Sequence, residues 1–384
     1  IGATNEIKTK PTQHSVRELR SLGITPNVIV ARADHAVGPE LCEKIALFCD
    51  VPEQAVIPLT TTEIPYEVPL MLESRGVGDY LVNQLELGSS CRAADWSSWE
   101  AMLAEVQRPR DPVRVAIVGK YVELEDAYIS VREALRHAAM ANDRDVMIDW
   151  VHSADLENDQ CQEILETCDG IVIPGGFGER GVEGKILAAQ LARTERIPYL
   201  GLCLGMQVMV VEFARSCLDL PSANSTEFDS STPDPVIAYL PGQKELVETG
   251  GTMRLGLYQC RLRANTMAAH AYAEQLVWER HRHRYEFNNH YLDRMEKAGL
   301  MASGTAPDGS LVEISEISGH PFMIGTQFHP EFQSRPDRPH PLFREFIKVA
   351  REVVREGGQP ALRTASGESM APPRTRLVSE ATGP

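Results

Sequence analysis

The sequence predicts an α/β fold: a doubly wound, mostly parallel sheet preceded by a partial second α/β domain. Three observations predict it. From residue 113 onward, short continuous apolar runs alternate with stretches of helical spacing, the pattern of parallel strands covered by helices on both faces. One of those runs passes through Gly201-Leu202-Cys203-Leu204-Gly205 directly into a helical stretch, a sharp strand-to-helix turn. The first 87 residues show the same alternation on a smaller scale, which again argues for parallel strands flanked by helices.

In chain order, residues 14–22 suit a short helix ended by Gly23, 28–31 a buried strand, 41–48 a helix and 55–59 a second strand. Residues 88–112 differ. Gly88-Ser89-Ser90 leads into an amphipathic patch at 96–106 and then Arg108-Pro109-Arg110-Asp111-Pro112, the profile of a linker helix and a domain boundary. Beyond it, strands are expected at 113–118, 146–151, 170–174 and 199–202, and helices at 127–141, 156–167, 182–195 and 206–217. From about 236 to 328 the pattern turns to β, with one helix near 289–298, and a last amphipathic helix runs over about 342–355. Residues 357–384 are rich in Gly, Pro, Ser and Thr with few apolar side chains and are expected to be disordered. The domain expectation is therefore 1–87, a linker at 88–112, a second domain at 113–356 and a tail at 357–384.

Composition narrows the function. A hydrophobic content of 43% and a charged content of 24% are ordinary for a globular protein. A net charge of −16 argues against nucleic acid as a partner, which wants a basic face, although a nucleotide needs only a local basic site. No apolar run approaches the roughly 18 residues of a membrane span. Eight scattered cysteines form no CxxC pair and no zinc-spaced His/Cys cluster, so no metal site is expected, and free thiols suit a reducing cytoplasm. The chain starts at Ile1 in mid-phrase, which reads as a missing N-terminal portion.

The chemistry centres on Cys203. At the head of a helix, backbone N–H groups and the helix dipole favour thiolate. Glycines on both sides fit a turn too tight for a Cβ. The alternative is a buried cysteine between two packing glycines. A thiolate nucleophile needs a base with an orienting group. A strand ending at Phe328 delivers His329-Pro330-Glu331, and Pro330 keeps the backbone extended so that His329 and Glu331 can face one site. Glu331 can take the Nδ1 proton and leave Nε2 to the thiol. Oxyanion donors are expected at the Leu204 N–H and at the Gly176 N–H, in the loop Pro174-Gly175-Gly176-Phe177-Gly178. A plain turn is the alternative for that loop.

Residues 113–356 resemble the class I glutamine amidotransferases. The matching phrases are Pro174-Gly175-Gly176-Phe177-Gly178, Gly201-Leu202-Cys203-Leu204-Gly205-Met206-Gln207 and Phe328-His329-Pro330-Glu331. The resemblance implies a class I amidotransferase sheet and attack of Cys203 on the glutamine carboxamide, with Leu204, Gly205, Met206 and Gln207 in the glutamine-binding turn. Other phrases resemble the CTP synthase family. Lys8-Thr9-Lys10-Pro11-Thr12-Gln13 looks like its UTP/CTP-binding segment, Lys44 like its phosphate-reaching lysine, and Thr61, Thr62 and Glu63 stand where it holds adenine. Asn224-Ser225-Thr226-Glu227-Phe228 implies that Glu227 meets the glutamine α-amino group. Gly250-Gly251-Thr252-Met253-Arg254 is a further family phrase, and Arg280-His281-Arg282-His283-Arg284-Tyr285-Glu286 implies that Arg284 meets the carboxylate. Read without the family, that last run is a basic strand that is either solvated or faces an anion.

The implied activity is ATP-dependent amination of UTP to CTP, with ammonia from glutamine, Mg²⁺ as cofactor and GTP as allosteric activator. The first 87 residues would then be the end of a nucleotide-binding synthetase domain, and the whole protein a cytoplasmic homotetramer. Two departures stand out. No Gly-x-x-x-x-Gly-Lys-[Ser/Thr] loop occurs, so the chain as given is not expected to phosphorylate UTP, and Mg²⁺ ligands are expected outside it. The stretch between Pro233 and Gly250 is short, with no arginine between Arg215 and Arg254, which leaves GTP contacts unplaced. A glutaminase acting alone, a different amidotransferase and a non-enzymatic assembly or regulatory protein of this fold are the competing readings.

Overall fold

The computed structural model describes residues 7–88, 90–158, 161–239 and 253–352. The expected disorder of 357–384, most of the 233–250 stretch and the phrase at 250–252 therefore fall wholly or partly outside the described residues.

The N-terminal unit builds from helix Lys10–Ser21, strand β1 (Ile29–Ala33), helix Pro39–Cys49 and strand β2 (Val56–Thr60). The first helix begins four residues before the expected 14, because Pro11 lies in its first turn, where a missing N–H costs nothing. The strands pair in parallel, Ile29 opposite Val56. Val16, Ile45, Cys49, Ala55 and Val56 form the core between helices and sheet. Two helices not expected from the sequence, Val68–Ser74 and Val77–Gln84, follow. The expected linker helix is present as Ser97–Gln107.

Tyr66 ties this unit to the rest. Its hydroxyl donates to Glu133 Oε2 at 3.0 Å and lies 2.5 Å from His137 Nε2, while its carbonyl accepts from Trp99 Nε1 at 2.8 Å. The other ring nitrogen of His137 reaches Ser334 Oγ at 3.1 Å, three residues past Glu331.

The second unit is organised on one nine-stranded sheet. Its strands are β3 (Pro112–Gly119), β4 (Asp145–His152), β5 (Gly170–Ile173), β6 (Tyr199–Leu202), β9 (Arg254–Leu262), β10 (Leu276–His283), β12 (Leu300–Thr305), β13 (Val312–Ile317) and β14 (Met323–Thr326). The spatial order is β10-β9-β12-β13-β14-β6-β5-β3-β4. The half from β4 to β14 is parallel and the half from β14 to β10 antiparallel. The expectation of a mostly parallel sheet thus becomes a mixed one, because the late β-rich segment extends the same sheet. Three short strands, β7 (Asn224–Ser225), β8 (Pro235–Tyr239) and β11 (Tyr285–Phe287), form a separate small sheet.

Both faces of the parallel half are covered, as its continuous apolar strands require. Along β3, Val115 and Ile117 enter one core with helices Ile129–Ala141 and Pro341–Glu352. Ala116 and Val118 enter the other, with helices Val182–Thr194 and Leu204–Cys217. Truncating a fully buried ring such as Phe346 to alanine would cost about 3–5 kcal/mol.

Two helix expectations are corrected. The single helix over 156–167 is two pieces, Ser153–Leu156 and Gln162–Thr167. The β-rich stretch also contains helix Met267–Tyr272, whose first N–H groups are taken by the Thr266 hydroxyl and by the Glu316 carboxylate at 2.9 and 3.1 Å. Glu316 is remote in sequence, so no local pattern announces that cap. Among the described residues no helix is long and apolar enough to cross a membrane.

Candidate active site

The strand-to-helix turn has the geometry its glycines demand. Cys203 stands at φ +52° and ψ −99°, immediately before helix Leu204–Cys217, a strained backbone region for a residue with a Cβ. A Cβ on Gly201 would lie 2.6 Å from the Gly205 backbone, and one on Gly205 would collide with the Ile173 carbonyl. The turn is pinned from below by the Cys203 N–H, which donates to the Thr326 carbonyl at 2.6 Å. The sulfur is nearly buried and accepts from Gln327 Nε2 at 3.6 Å.

β14 lies beside β6, with Thr326 opposite Leu202, so the residues after both strands emerge at the same sheet edge. That register brings His329 to Cys203. A Cβ on Gly175 would touch both, at 2.9 Å from His329 Cε1 and 3.7 Å from Cys203 Cβ. His329 Nδ1 lies 2.7 Å from Glu331 Oε1. Burial alone would lower the imidazole pKa, but the Glu331 carboxylate and the Cys203 sulfur raise it to about 11. The site therefore favours an imidazolium at His329. Cys203, His329 and Glu331 share a cleft of about 240 Å³ with Gly176, Phe177 and Arg282.

The remaining expected residues divide into two groups. Gly176 and Leu204 are neighbours: a Gly176 Cβ would stand 3.4 Å from Leu204 Cδ2. Glu227 accepts from the Gly178 N–H at 3.0 Å. Its pKa is raised by burial, against the Gly178 N–H, Arg284, Lys120 and Lys185, which all lower it. Glu227 follows β7 and Arg284 precedes β11, so the small sheet brings the pair close enough for Arg284 to act on the Glu227 carboxylate. Gly205, Met206 and Gln207 are also held from within the protein. The Gly205 carbonyl accepts from Tyr199 Oη at 2.7 Å, Met206 is in the core, and Gln207 Nε2 donates to the Tyr285 carbonyl and to Gln327 Oε1, each at 3.3 Å.

The alternating Arg/His strand is split by its pleat. Along β10 the arginines point outward and His281 and His283 are buried. Burial and the nearby Arg254 cation lower their pKa values to about 2 and about 3, so the run is not basic on both faces.

In the N-terminal unit, Lys8, Lys10 and Pro11 are exposed, Thr12 and Gln13 half-buried, and Thr9 is buried and accepts from Gln13 Nε2 at 3.1 Å. Lys44 is exposed on the neighbouring helix. Thr61 Oγ1 donates to Asp34 Oδ1 at 2.9 Å, Thr62 Oγ1 donates to Glu67, and Glu63 is exposed. The threonine hydroxyls are thus engaged within the protein. Sequence reasoning did not single out Lys120, Tyr128, Lys185, Arg282 or Gln327. Gln327 sits next to the His-Pro-Glu phrase and Arg282 within the Arg/His phrase, both within reach of a motif reading; Lys120, Tyr128 and Lys185 carry no local signal. Among the described residues no group of three His, Cys, Asp or Glu could hold a metal ion.

The family described as Glutamine amidotransferase class-I matches residues 123–349. The chain belongs to the class-I glutamine amidotransferase family. A second family, CTP synthase N-terminus, matches residues 1–87. Proteins called CTP synthase are similar along nearly the whole chain. The one from Dehalococcoides mccartyi is 57% identical over 94% of this chain and 66% of its own length. The one from Thermomicrobium roseum is 56% identical over 96% and 66%. The solved glutaminase domain of Trypanosoma brucei CTPS with bound acivicin matches at 38% identity and a TM-score of 0.60, covering 65% of this chain and 96% of that one. The N-terminal family match falls on residues 1–87 themselves. The amidotransferase chain spans 66% of the length of the D. mccartyi relative.

Proposed function

We propose that this chain hydrolyses glutamine and feeds the ammonia to the amination of UTP, as a CTP synthase. The observation that carries the reading is the meeting of Cys203, His329 and Glu331 at one sheet edge although they are distant in sequence. Cys203 sulfur attacks the carboxamide carbon, and the carbonyl oxygen takes the negative charge against the Leu204 and Gly176 N–H groups. Collapse breaks the C–N bond, with the imidazolium of His329 giving its proton to the leaving nitrogen, so ammonia and a glutamyl thioester result. Water, losing a proton to His329, then releases glutamate and regenerates the thiol. Glu331 keeps the imidazole oriented throughout. Glu227 meets the substrate α-ammonium and Arg284 its carboxylate.

For the whole enzyme the reading extends further. ATP phosphorylates the uracil 4-oxygen of UTP, and ammonia displaces the phosphate. Residues 1–87 act as part of the nucleotide-binding unit, with Lys8–Gln13 and Lys44 toward UTP or CTP and Thr61–Glu63 toward ATP. Residues 88–112 act as linker and 113–356 as the glutaminase. Because the threonine hydroxyls are engaged internally, their share of ATP binding is through the backbone. Mg²⁺, GTP activation, a homotetramer and a cytoplasmic site belong to the same proposal. Among the described residues no group of three His, Cys, Asp or Glu is placed to hold that Mg²⁺.

The decisive assay measures glutamate release and CTP formation side by side, with glutamine or ammonium as nitrogen source and with UTP, ATP, Mg²⁺ and GTP added in turn. Glutamate release is expected from the wild type and a loss of at least about 10³-fold from Cys203→Ala. Glutamine hydrolysis that survives in Cys203→Ala overturns the site. Hydrolysis without CTP formation favours a glutaminase acting alone.

A further inference from the structure

Lys185 is the most deeply buried ammonium among the described residues, with a relative exposure of 1%. It projects from helix Val182–Thr194. Its Nζ lies 3.4 Å from where a Cβ on Gly176 would stand, behind the loop that lines the cleft with Cys203. A desolvated cation is costly unless opposite charge faces it. The charged groups acting on it are Lys120, which repels it, and Cys203 and Glu227, which favour its charge. Other charged side chains on the elements packed against its helix are committed elsewhere. Glu212 holds Arg193, Arg215 holds Glu183, and Glu157 accepts from the Gly184 N–H.

We infer that Lys185 is a positioning residue of the glutaminase site: its buried charge stabilises the negative sulfur of Cys203 and keeps the buried Glu227 ionised for the α-ammonium of glutamine. This rests on the proposed roles of Cys203 and Glu227. A cation in a water-poor setting acts far more strongly on a neighbour than one at the surface. Without it, the Glu227 carboxyl would hold its proton to higher pH, and the Cys203 sulfur would lose a buried cation that acts on it. Burial and Lys120 bring the pKa of Lys185 itself down to about 8, which leaves it protonated at pH 7 and titrating within the range in which glutamine hydrolysis can be assayed.

The test follows carbamidomethylation of Cys203 by iodoacetamide against pH, read at the Cys203 peptide by mass spectrometry, together with glutamine KM. Lys185→Met keeps the length and apolar stem and removes the charge. It is expected to move the alkylation midpoint upward by about one pH unit and to raise the glutamine KM about tenfold. Lys185→Arg is expected to restore the midpoint. A purely structural lysine would lower activity in Lys185→Met without moving the midpoint, and that outcome overturns the inference. A third measurement needs no variant, should Lys185→Met not fold. In the wild type, the ratio of alkylation by anionic iodoacetate to that by neutral iodoacetamide is expected to fall as pH rises through about 8, and a ratio constant from pH 7 to 9 overturns the inference. Failure of the wild type to hydrolyse glutamine overturns the site reading; normal hydrolysis with an unmoved midpoint in Lys185→Met overturns only the role of Lys185.

Discussion

At the residue scale, the histidine of the site differs from every other buried histidine with a shifted pKa. His137, His281, His283 and His320 are held neutral by burial, whereas His329 is driven the other way by Glu331 and Cys203. One carboxylate, 2.7 Å away, accounts for much of the difference. Glu331→Gln keeps the shape and removes the charge, so the imidazolium loses its stabiliser and its preferred tautomer. Glutamine hydrolysis is expected to fall by on the order of 10²–10⁴-fold with the circular-dichroism spectrum unchanged; wild-type turnover would show that Glu331 does not orient His329. Glu227 belongs to the proposed binding of glutamine instead. Glu227→Gln is expected to raise the glutamine KM by about 10–100-fold with kcat largely kept. Because burial raises the Glu227 pKa, the carboxylate that binds an ammonium is present above that pKa and lost below it. Glutamine KM in the wild type should therefore climb as pH falls through the acid range, and a KM flat across that range would remove Glu227 from the α-amino contact.

At the scale of elements, the site depends on one tight turn and one strand register. The turn was legible: Gly201 and Gly205 mark positions where the backbones of β6, the following helix and β5 close to contact distance. Gly205→Ala must push against the Ile173 carbonyl and is expected to cost about 1–3 kcal/mol or more, read as a lower melting temperature. An unchanged melting temperature would mean that the elbow has room the geometry denies it. The β6–β14 register was not legible. The spacing between Cys203 and His329 says nothing about adjacency; hydrogen bonding between strands separated by the whole β-rich segment creates it. The same distinction explains the misread helices. Helix Met267–Tyr272 is started by the remote Glu316 carboxylate, and the Arg/His strand was read as basic because alternation shows which residues share a face but not which face is covered.

At the scale of the whole molecule, buried titratable groups set the response to acid. Histidines whose folded pKa is depressed leave stability unchanged above the unfolded value of about 6.5 and destabilise as pH falls below it, since only the unfolded chain takes up their protons. Raised carboxyls work oppositely in a narrower window: Glu313, at about 6, and Glu286 bind protons in the fold before they do in the unfolded chain. Between about pH 6.5 and 4.5 the two carboxyls offset only part of the effect of the four histidines. Below that, the unfolded carboxyls titrate as well, the offset ends, and His281 and His283, with values of about 2 and about 3, still refuse protons. Each contributes a slope of about 1.4 kcal/mol per pH unit. The melting temperature is expected to fall moderately from pH 6.5 to 4.5 and more steeply below, and one that rises from pH 5 to 3.5 would contradict this account of the buried cluster.

The sequence by itself determined the α/β class, the parallel strands, the cysteine elbow and the His-Pro-Glu phrase, because each rests on local periodicity or on a backbone shape that few residues allow. Tertiary structure alone decided that the late β segment completes the same sheet, that the histidines of β10 are neutral core, and that Lys120, Lys185 and Arg284 surround Glu227. Those outcomes come from strand pairing and from the electrostatics of burial, and both depend on residues far apart in the chain.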